Sequence, residues 1–367
     1  MRIFYGFDVN LAQYLNQSDK DIWTVNIRDT LVDMDHEVIN FDYSLGEFFL
    51  NLEKTIPGHV EYSKKHKQKV VDAFLAQIKK THEEKPIDIL LSYFYDHFMD
   101  SKAIEEVKAM GIVTINYNCN ASFQFDLIKD ISPSFDHCLT VEDFKMDDYK
   151  AINANPVYFQ EAANINHYKP YDLEKVHDVV FIGQSYGDRS KLASYLHKNG
   201  VNLDVFGLGW RGYQATNKIL LKNLFYKIFN RKRIKVALNP KFVHDRLDFD
   251  DMVKLYSKTK IAINFSTCGN THMDSDRVTQ IRLRDFEAPA CKVCYMTEYS
   301  KELEDFYDVG KEIICYESKE ELLDKIKFYL NNDSARNKVA EAGYNRVIKD
   351  HSWQKRFEKL FNDIGLK

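Results

Sequence analysis

Strands and amphipathic helices alternate twice along this chain, a pattern that predicts an α/β protein of two doubly wound parallel-sheet domains. Three observations carry the prediction. The apolar runs at 87–92 and 178–182 are near-continuous, as strands buried on both faces require. Segments of helical period lie between successive strands and serve as the crossovers a parallel sheet needs. With 367 residues, the chain exceeds one ordinary domain and suits two of about 150–200 residues each.

The elements follow in order. Residues 2–7 are a β-rich run leading into Asp8. Ile22, Val25, Ile27 and Leu31 set a helical spacing over 21–34, and 37–41 is strand-like again. A long polar amphipathic helix covers 59–83, and Pro86 introduces the strand 87–92. Residues 101–110 are helix closing at Gly111, with the next strand at 112–115. Short strands are expected at 137–140 and 157–159. A polar stretch over 164–175, containing Pro170, marks the domain boundary. The alternation then restarts, with strand 178–182, helix 188–198, strand 202–206, an irregular insertion, helix 250–258 and strand 260–265. An arginine-rich run leads to strands near 291–296 and 312–315. Ser318 followed three residues on by Glu321 is a capping box, and helices at 334–349 and 352–364 finish the chain.

Composition excludes several classes. A net charge of -4 argues against wholesale nucleic-acid binding, and that partner is not expected. The opening MRIFYGFDVN reads as a strand instead of a signal peptide. No apolar run approaches the roughly 20 residues needed to cross a bilayer. Six scattered cysteines fit a reducing compartment, so a cytoplasmic location is expected. Cys291 and Cys294 form a C-x-x-C without a second pair or a histidine cluster at zinc spacing. They read as small core residues of a strand.

In doubly wound sheets, ligands bind outside the carboxyl ends of the strands, where the strand order reverses. That places four loops of the second half on one rim: 183–189, 207–211, 266–277 and the turn before Phe286. They carry Arg189, Arg277, Arg282 and Arg284. Guanidinium forks grip phosphate oxygens in pairs, helix starts favour anions, and Glu287 beside them can accept from ribose hydroxyls. Gly183, Gly207 and Gly209 let backbone approach a ligand, with Trp210 closing the run, and Asn264 can orient its loop. The set suits a nucleoside diphosphate. The same composition also fits a solvated helix face with internal ion pairs.

Read together, several runs resemble the CgeB-like (spore maturation protein type) glycosyltransferases. They are Asp178-Val179-Val180-Phe181-Ile182-Gly183 with Arg189, Phe206-Gly207-Leu208-Gly209-Trp210, Ile261-Ala262-Ile263-Asn264-Phe265 and Arg284-Asp285-Phe286-Glu287-Ala288. The tail, with Gly310 to Ile313, Ala342-Gly343 and His351-Ser352-Trp353 with Arg356, follows in the same order. The likeness covers roughly 164–367; the first half matches mainly in element order. It implies a GT-B fold, two Rossmann-like domains facing across a cleft. Residues 1–163 would form the acceptor side, 164–350 the nucleotide-sugar donor domain, and 351–367 a helix returning to the first domain. Two glutamates eight positions apart mark the broader retaining branch. Glu287 matches the second, which binds the donor ribose, while Thr279 stands at the first, so the motif is half present.

No D-x-D motif follows a first-domain strand, and Asp274-Ser275-Asp276 lies in the rim loop. The expectation is chemistry without metal or other cofactor, in which arginines stabilise the leaving diphosphate. The acceptor class implied is a glycan or lipid-linked glycan in cell-surface polysaccharide synthesis. An inverting reaction needs a base, and the candidates are Asp8 at the end of the first strand and Asp96 or His97 after the 87–92 strand. His272, in the donor-side loop, could touch the diphosphate or the sugar. Nucleotide-sugar epimerisation, or nucleotide and glycan binding without catalysis, are the alternative functions for such a scaffold.

One motif stands apart. From Val205 to His244 there is no acidic residue, while basic residues interleave with Ile219, Leu220, Leu221, Leu224, Phe225, Ile228 and Phe229. Over 218–235 this fits a peripheral helix on an anionic membrane surface. It equally fits an amphipathic helix packed on its own domain with its lysines in solvent.

Overall fold

The apolar runs pair as two six-stranded sheets, parallel throughout among the described residues. The computed structural model describes residues 1–9, 20–228, 235–267 and 278–366. It divides into two units: Met1–Asn164 with Trp353–Lys367, and Ile165–Ser352.

The first unit contains β1 (Arg2–Gly6), β2 (Glu37–Asn40), β3 (Ile89–Ser92), β4 (Val113–Asn118), β5 (His137–Thr140) and β6 (Pro156–Tyr158), in the order β2-β1-β3-β4-β5-β6. The order reverses between β1 and β3, whose register sets Gly6 opposite Ser92, so the two strands end side by side. Val70, Val71, Phe74 and Ile78 form the buried stripe of the helix Pro57–Glu84, with Pro57 in the first turn where its missing N–H costs nothing. Phe74 meets Phe4, Phe41 and Phe94 edge to face. Asp21 caps the helical segment that starts at Ile22, passes through a π-helix at Thr24–Arg28 and continues as Asp29–Asp33. Its carboxylate accepts from the backbone N–H of Trp23 and of Thr24, both at 2.9 Å.

The final helix, Trp353–Asp363, belongs to this first unit for an identifiable reason. Trp353 is fully buried there; its indole donates to Asn26 Oδ1 at 3.1 Å and its backbone N–H to Ala163 O at 3.1 Å. Phe357 packs on Phe159 beside it.

The second unit contains β7 (His177–Ile182), β8 (Leu203–Phe206), β9 (Val243–His244), β10 (Thr259–Ile263), β11 (Cys294–Glu298) and β12 (Ile314–Tyr316), in the order β12-β11-β10-β7-β8-β9. Counted from its own first strand, this is the 3-2-1-4-5-6 order of nucleotide-binding doubly wound sheets, reversing between β7 and β10. Alternate residues Val179, Phe181, Leu203, Val205, Ile261, Ile263, Cys294 and Met296 build its core. Cys291 and Cys294 are buried, free thiols, and burial pushes Cys294 up to about 12. Ser318 Oγ accepts from Glu321 N at 3.1 Å, while the Glu321 carboxylate accepts from Glu317 N, one residue earlier than a strict capping box has it.

Two local expectations shift. The strand placed near 291–296 starts at Cys294, because the helix Arg284–Ala290 runs on through Pro289 and the chain then turns at Lys292 with φ 58°. The two-residue strand β9 inside the insertion is too short for any periodicity to announce.

Candidate functional site at the strand-order reversals

The loops after β7 and β8 are strapped together on the rim of the second sheet. Gly183 N donates to Phe206 O at 2.8 Å, Ser185 N to Leu208 O at 3.0 Å, and the Trp210 indole to Gly183 O at 2.7 Å. The backbones approach so closely that a Cβ on Gly207 would lie 2.3 Å from Gly183 O. Gly207 at φ 142° and Gly209 at φ 83° also adopt backbone that side-chain-bearing residues avoid. Trp210 is fully buried, so it positions these loops from beneath and does not itself face a ligand.

Beside them, Asn264 follows β10 and is fully buried. Its Oδ1 accepts from Arg284 Nη1 at 3.0 Å, and its Nδ2 donates to Ser266 Oγ at 3.1 Å. Arg284 opens the helix Arg284–Ala290. Asp285 follows, 1% exposed, and accepts from Tyr295 OH and from Arg282 N, both at 2.6 Å. Burial raises the Asp285 carboxyl above its ordinary range, against the pull of the Tyr295 hydroxyl. Glu287, 4% exposed, lies within electrostatic reach of Arg284 and favours its charged form.

Arg189 begins the helix Arg189–Lys198 and is 4% exposed. Its guanidinium donates to Gln184 O at 3.0 Å, Phe265 O at 2.9 Å and Tyr186 OH at 2.7 Å, and lies 3.8 Å from the centre of the Tyr186 ring. It thereby ties the β7 loop to the β10 loop. Burial lowers its pKa to about 9; Tyr186 opposes that, while Arg284 and Arg282 add to it. The group stays charged at neutral pH. Arg282 reaches Thr267 O at 3.3 Å, and its buried Nε has no partner among the described residues. Three guanidinium groups, two of which disfavour the charge of Arg189, thus meet two buried carboxylates, a balance that suits an anionic ligand.

The reversal in the first unit carries a cavity of 190 Å³. Phe7 and Asp8 after β1, Tyr93 and Tyr95 after β3, and Asp21, Trp23, Phe49, Leu52 and Gln124 line it. Trp23 and Phe49 lie nearly parallel to Tyr93, with ring centres 6.1 Å and 6.5 Å away. Asp8 accepts from Leu45 N at 2.6 Å. Burial pushes the Asp21 carboxyl up to about 6 despite its two backbone donors, and the Asp8 charge adds to the rise. Aromatic walls with two carboxylates suit an apolar-faced, hydroxyl-bearing ligand.

The structure brings Arg189, Arg282, Arg284, Asn264, Glu287 and the three glycines to one rim. Asp8 lines the cavity of the first unit. Asp96 instead pairs with Lys54 at 2.6 Å and with His97 Nδ1 at 3.2 Å, and neither Asp96 nor His97 lines that cavity. His272, Arg277 and the Asp274-Ser275-Asp276 run lie outside the described residues. His351, 6% exposed, sits at the entry to the final helix with its ring against Phe286, Phe306 and Tyr307. Sequence reasoning missed Asp21, Trp23, Tyr93 and Tyr95. The signal available was the aromatic run Tyr93-Phe94-Tyr95 directly after a buried strand. Among the described residues, no group of three or more His, Cys, Asp and Glu side chains could hold a metal ion.

A model of a family described as glycosyl transferase-like matches residues 189–362, which include this rim apart from the 183–188 loop. Several solved structures share the fold over nearly the whole chain. Sucrose-phosphate synthase from Thermosynechococcus elongatus superposes with a TM-score of 0.59 at 11% identity, covering 99% of both chains. An alpha-glucosyltransferase in complex with UDP and a 13-mer DNA gives 0.58 at 11% identity, covering 100% of this chain and 99% of that one. HepE of Anabaena in complex with UDP-glucose gives 0.57 at 11% identity, with the same coverage. No curated protein matches the sequence. At such identity the likeness carries the fold, which is of the GT-B class with two Rossmann-like domains.

Proposed function

We propose that the chain is a glycosyltransferase that moves a sugar, a hexose in the simplest case, from a nucleoside-diphosphate sugar to an acceptor hydroxyl. The observation that carries the reading is the cluster of Arg189, Arg282 and Arg284 at the β7/β10 reversal, beside the buried Glu287. The family match over 189–362 supports it. The order of its sequence motifs supports the CgeB-like type within that reading.

In this reading the diphosphate lies over the loop after β7 and the start of the helix Arg284–Ala290. Arg282 and Arg284 grip its oxygens, Arg189 holds the two loops in register, and Glu287 accepts from the ribose hydroxyls. The bond from the anomeric carbon to the diphosphate oxygen breaks as the bond to the acceptor oxygen forms, through an oxocarbenium-like centre. Negative charge then develops on the diphosphate, where the fixed guanidinium groups need no reorganisation to meet it. That makes a divalent metal dispensable. The acceptor binds in the cavity of the first unit, its ring faces on Trp23 and Tyr93 and its hydroxyls on Asp8 and Asp21. With inversion, Asp8 takes the acceptor proton; with retention, the proton leaves on the departing diphosphate. The acceptor class is a glycan or lipid-linked glycan of a cell-surface polysaccharide. UDP-glucose accompanies one of the similar structures and UDP another, so UDP-sugars are the first donors to try.

The test is release of nucleoside diphosphate from a panel of nucleotide sugars, with and without glycan acceptors, in the presence of a metal chelator. Turnover with one donor that survives chelation and falls at least a hundredfold in Arg284→Ala supports the reading. Turnover that needs added divalent metal contradicts its electrostatic part. Conversion of the donor sugar without an acceptor would favour an epimerase.

A further inference from the structure

The insertion between β8 and β9 presents a helix, Asn217–Ile228, with its apolar side outward. Leu220, Leu221, Leu224, Phe225 and Ile228 are 49%, 67%, 55%, 49% and 68% exposed. At about 100° per residue these five fall within a sector of about 140°, with Lys218 and Lys227 at its two margins and Lys222 just beyond Lys218. The opposite side, formed by Ile219, Asn223 and Tyr226, is the partly buried one. A helix packed on its own domain would show the reverse arrangement.

The helix is also held in place. Thr216 Oγ1 accepts from Ile219 N at 3.3 Å at its start. Asn223 exchanges two hydrogen bonds of 2.8 Å with the backbone of Lys235. Its stem is tied by Ala215 N to Leu238 O at 2.7 Å and Leu238 N to Tyr213 O at 2.8 Å, over the buried Leu238. An exposed apolar face on a braced helix is a working surface, not a frayed end.

We infer that the helix Asn217–Ile228 docks the protein on an anionic lipid bilayer, lying in the plane of the interface with its five apolar side chains among the acyl chains and Lys218, Lys222 and Lys227 at the headgroups. Charge decides the occupant. No acidic residue occurs from Val205 to His244, and these three lysines make no ion pair among the described residues. Lysines flanking an apolar sector can bury their stems and keep their ammonium groups at the phosphates. A protein partner or a second copy would instead call for mixed charge around the apolar centre. The inference stands independently of the donor site, since it uses none of its residues.

The experiment uses the full chain with vesicles of phosphatidylcholine alone and of phosphatidylcholine with phosphatidylglycerol. Co-sedimentation with the anionic vesicles only, weakening as salt is raised, is expected. Phe225→Trp should show a blue-shifted, enhanced emission on adding those vesicles. Leu221→Ser with Ile228→Ser should abolish sedimentation at low salt, and both changes fall on exposed positions that the fold does not use. Replacing Lys218, Lys222 and Lys227 by Gln should cost about fivefold per lysine, on the order of a hundredfold together. Absence of binding to anionic vesicles at low salt overturns the inference. So does binding unchanged in the serine variant, or a dimer in solution that the serine variant converts to monomer.

Discussion

Asp21 offers a prediction whose size follows from its surroundings. The carboxyl is 8% exposed, among the aromatic walls of the first-unit cavity, and its pKa rises from 3.8 to about 6. A group raised in the folded state binds its proton more tightly there than when unfolded. Its stabilising contribution is therefore fully present below pH 3.8 and lost as pH rises through about 6. A rise of about two pH units corresponds to roughly 3 kcal/mol lost by pH 7.5. Asn at this position keeps an oxygen to accept from Trp23 N and Thr24 N but never ionises. Asp21→Asn should thus be about 1–3 kcal/mol more stable than the wild type at pH 7.5, and no more stable than it at pH 4. Denaturant midpoints of the two proteins, followed by tryptophan fluorescence at matched pH, provide the assay, and the difference between them cancels other titrating groups. A gap of the same size and sign at pH 4 and pH 7.5 would refute the reasoning, because it would mean that Asp21 ionises as an exposed carboxyl does.

Other changes probe the rim and the returning helix. Gly207→Ala drives a Cβ into Gly183 O and should cost at least about 2–3 kcal/mol, with the loops after β7 and β8 losing amide-exchange protection first. Arg189→Met leaves Gln184 O and Phe265 O without their donor and should lower stability by about 2–4 kcal/mol even without ligand, whereas Arg282→Met gives up only the long bond to Thr267 O and should cost the free protein about 1 kcal/mol or less while weakening nucleotide binding. Trp353→Ala removes a fully buried indole and its bond to Asn26, a loss of about 3–5 kcal/mol that limited proteolysis should report as early cleavage near residue 353.

Much of this molecule was legible because parallel strands buried on both faces write continuous apolar runs. Hence 87–92 and 178–182 declared themselves, while β9, two residues inside the insertion, did not. The rim arginines were visible as residue types, but which of them faces inward was not. Arg189 satisfies two loop carbonyls, while Arg282 reaches one and keeps an Nε donor without a partner among the described residues, a difference made by loop geometry that spacing does not encode. The cavity in the first unit was missed because it forms by convergence: Asp21 reads locally as a helix cap, and only the β1/β3 reversal brings it to Asp8 and Tyr93. The exposed apolar side of the helix Asn217–Ile228 was undecidable from a pattern that fixes an apolar face but not its direction.

The central claim is a nucleotide-sugar donor site at the β7/β10 reversal, and ligand-induced stabilisation tests it most directly. A screen of UDP, GDP, CMP, dTDP and ADP with their sugars should yield one responsive base. At a hundred times its dissociation constant that ligand should stabilise by about 2.7 kcal/mol, a rise in Tm of roughly 5–10 °C. The response should vanish in Arg284→Ala and in Glu287→Ala while both variants remain folded. No response to any nucleotide at millimolar concentration, or an equal response in those variants, would contradict the account.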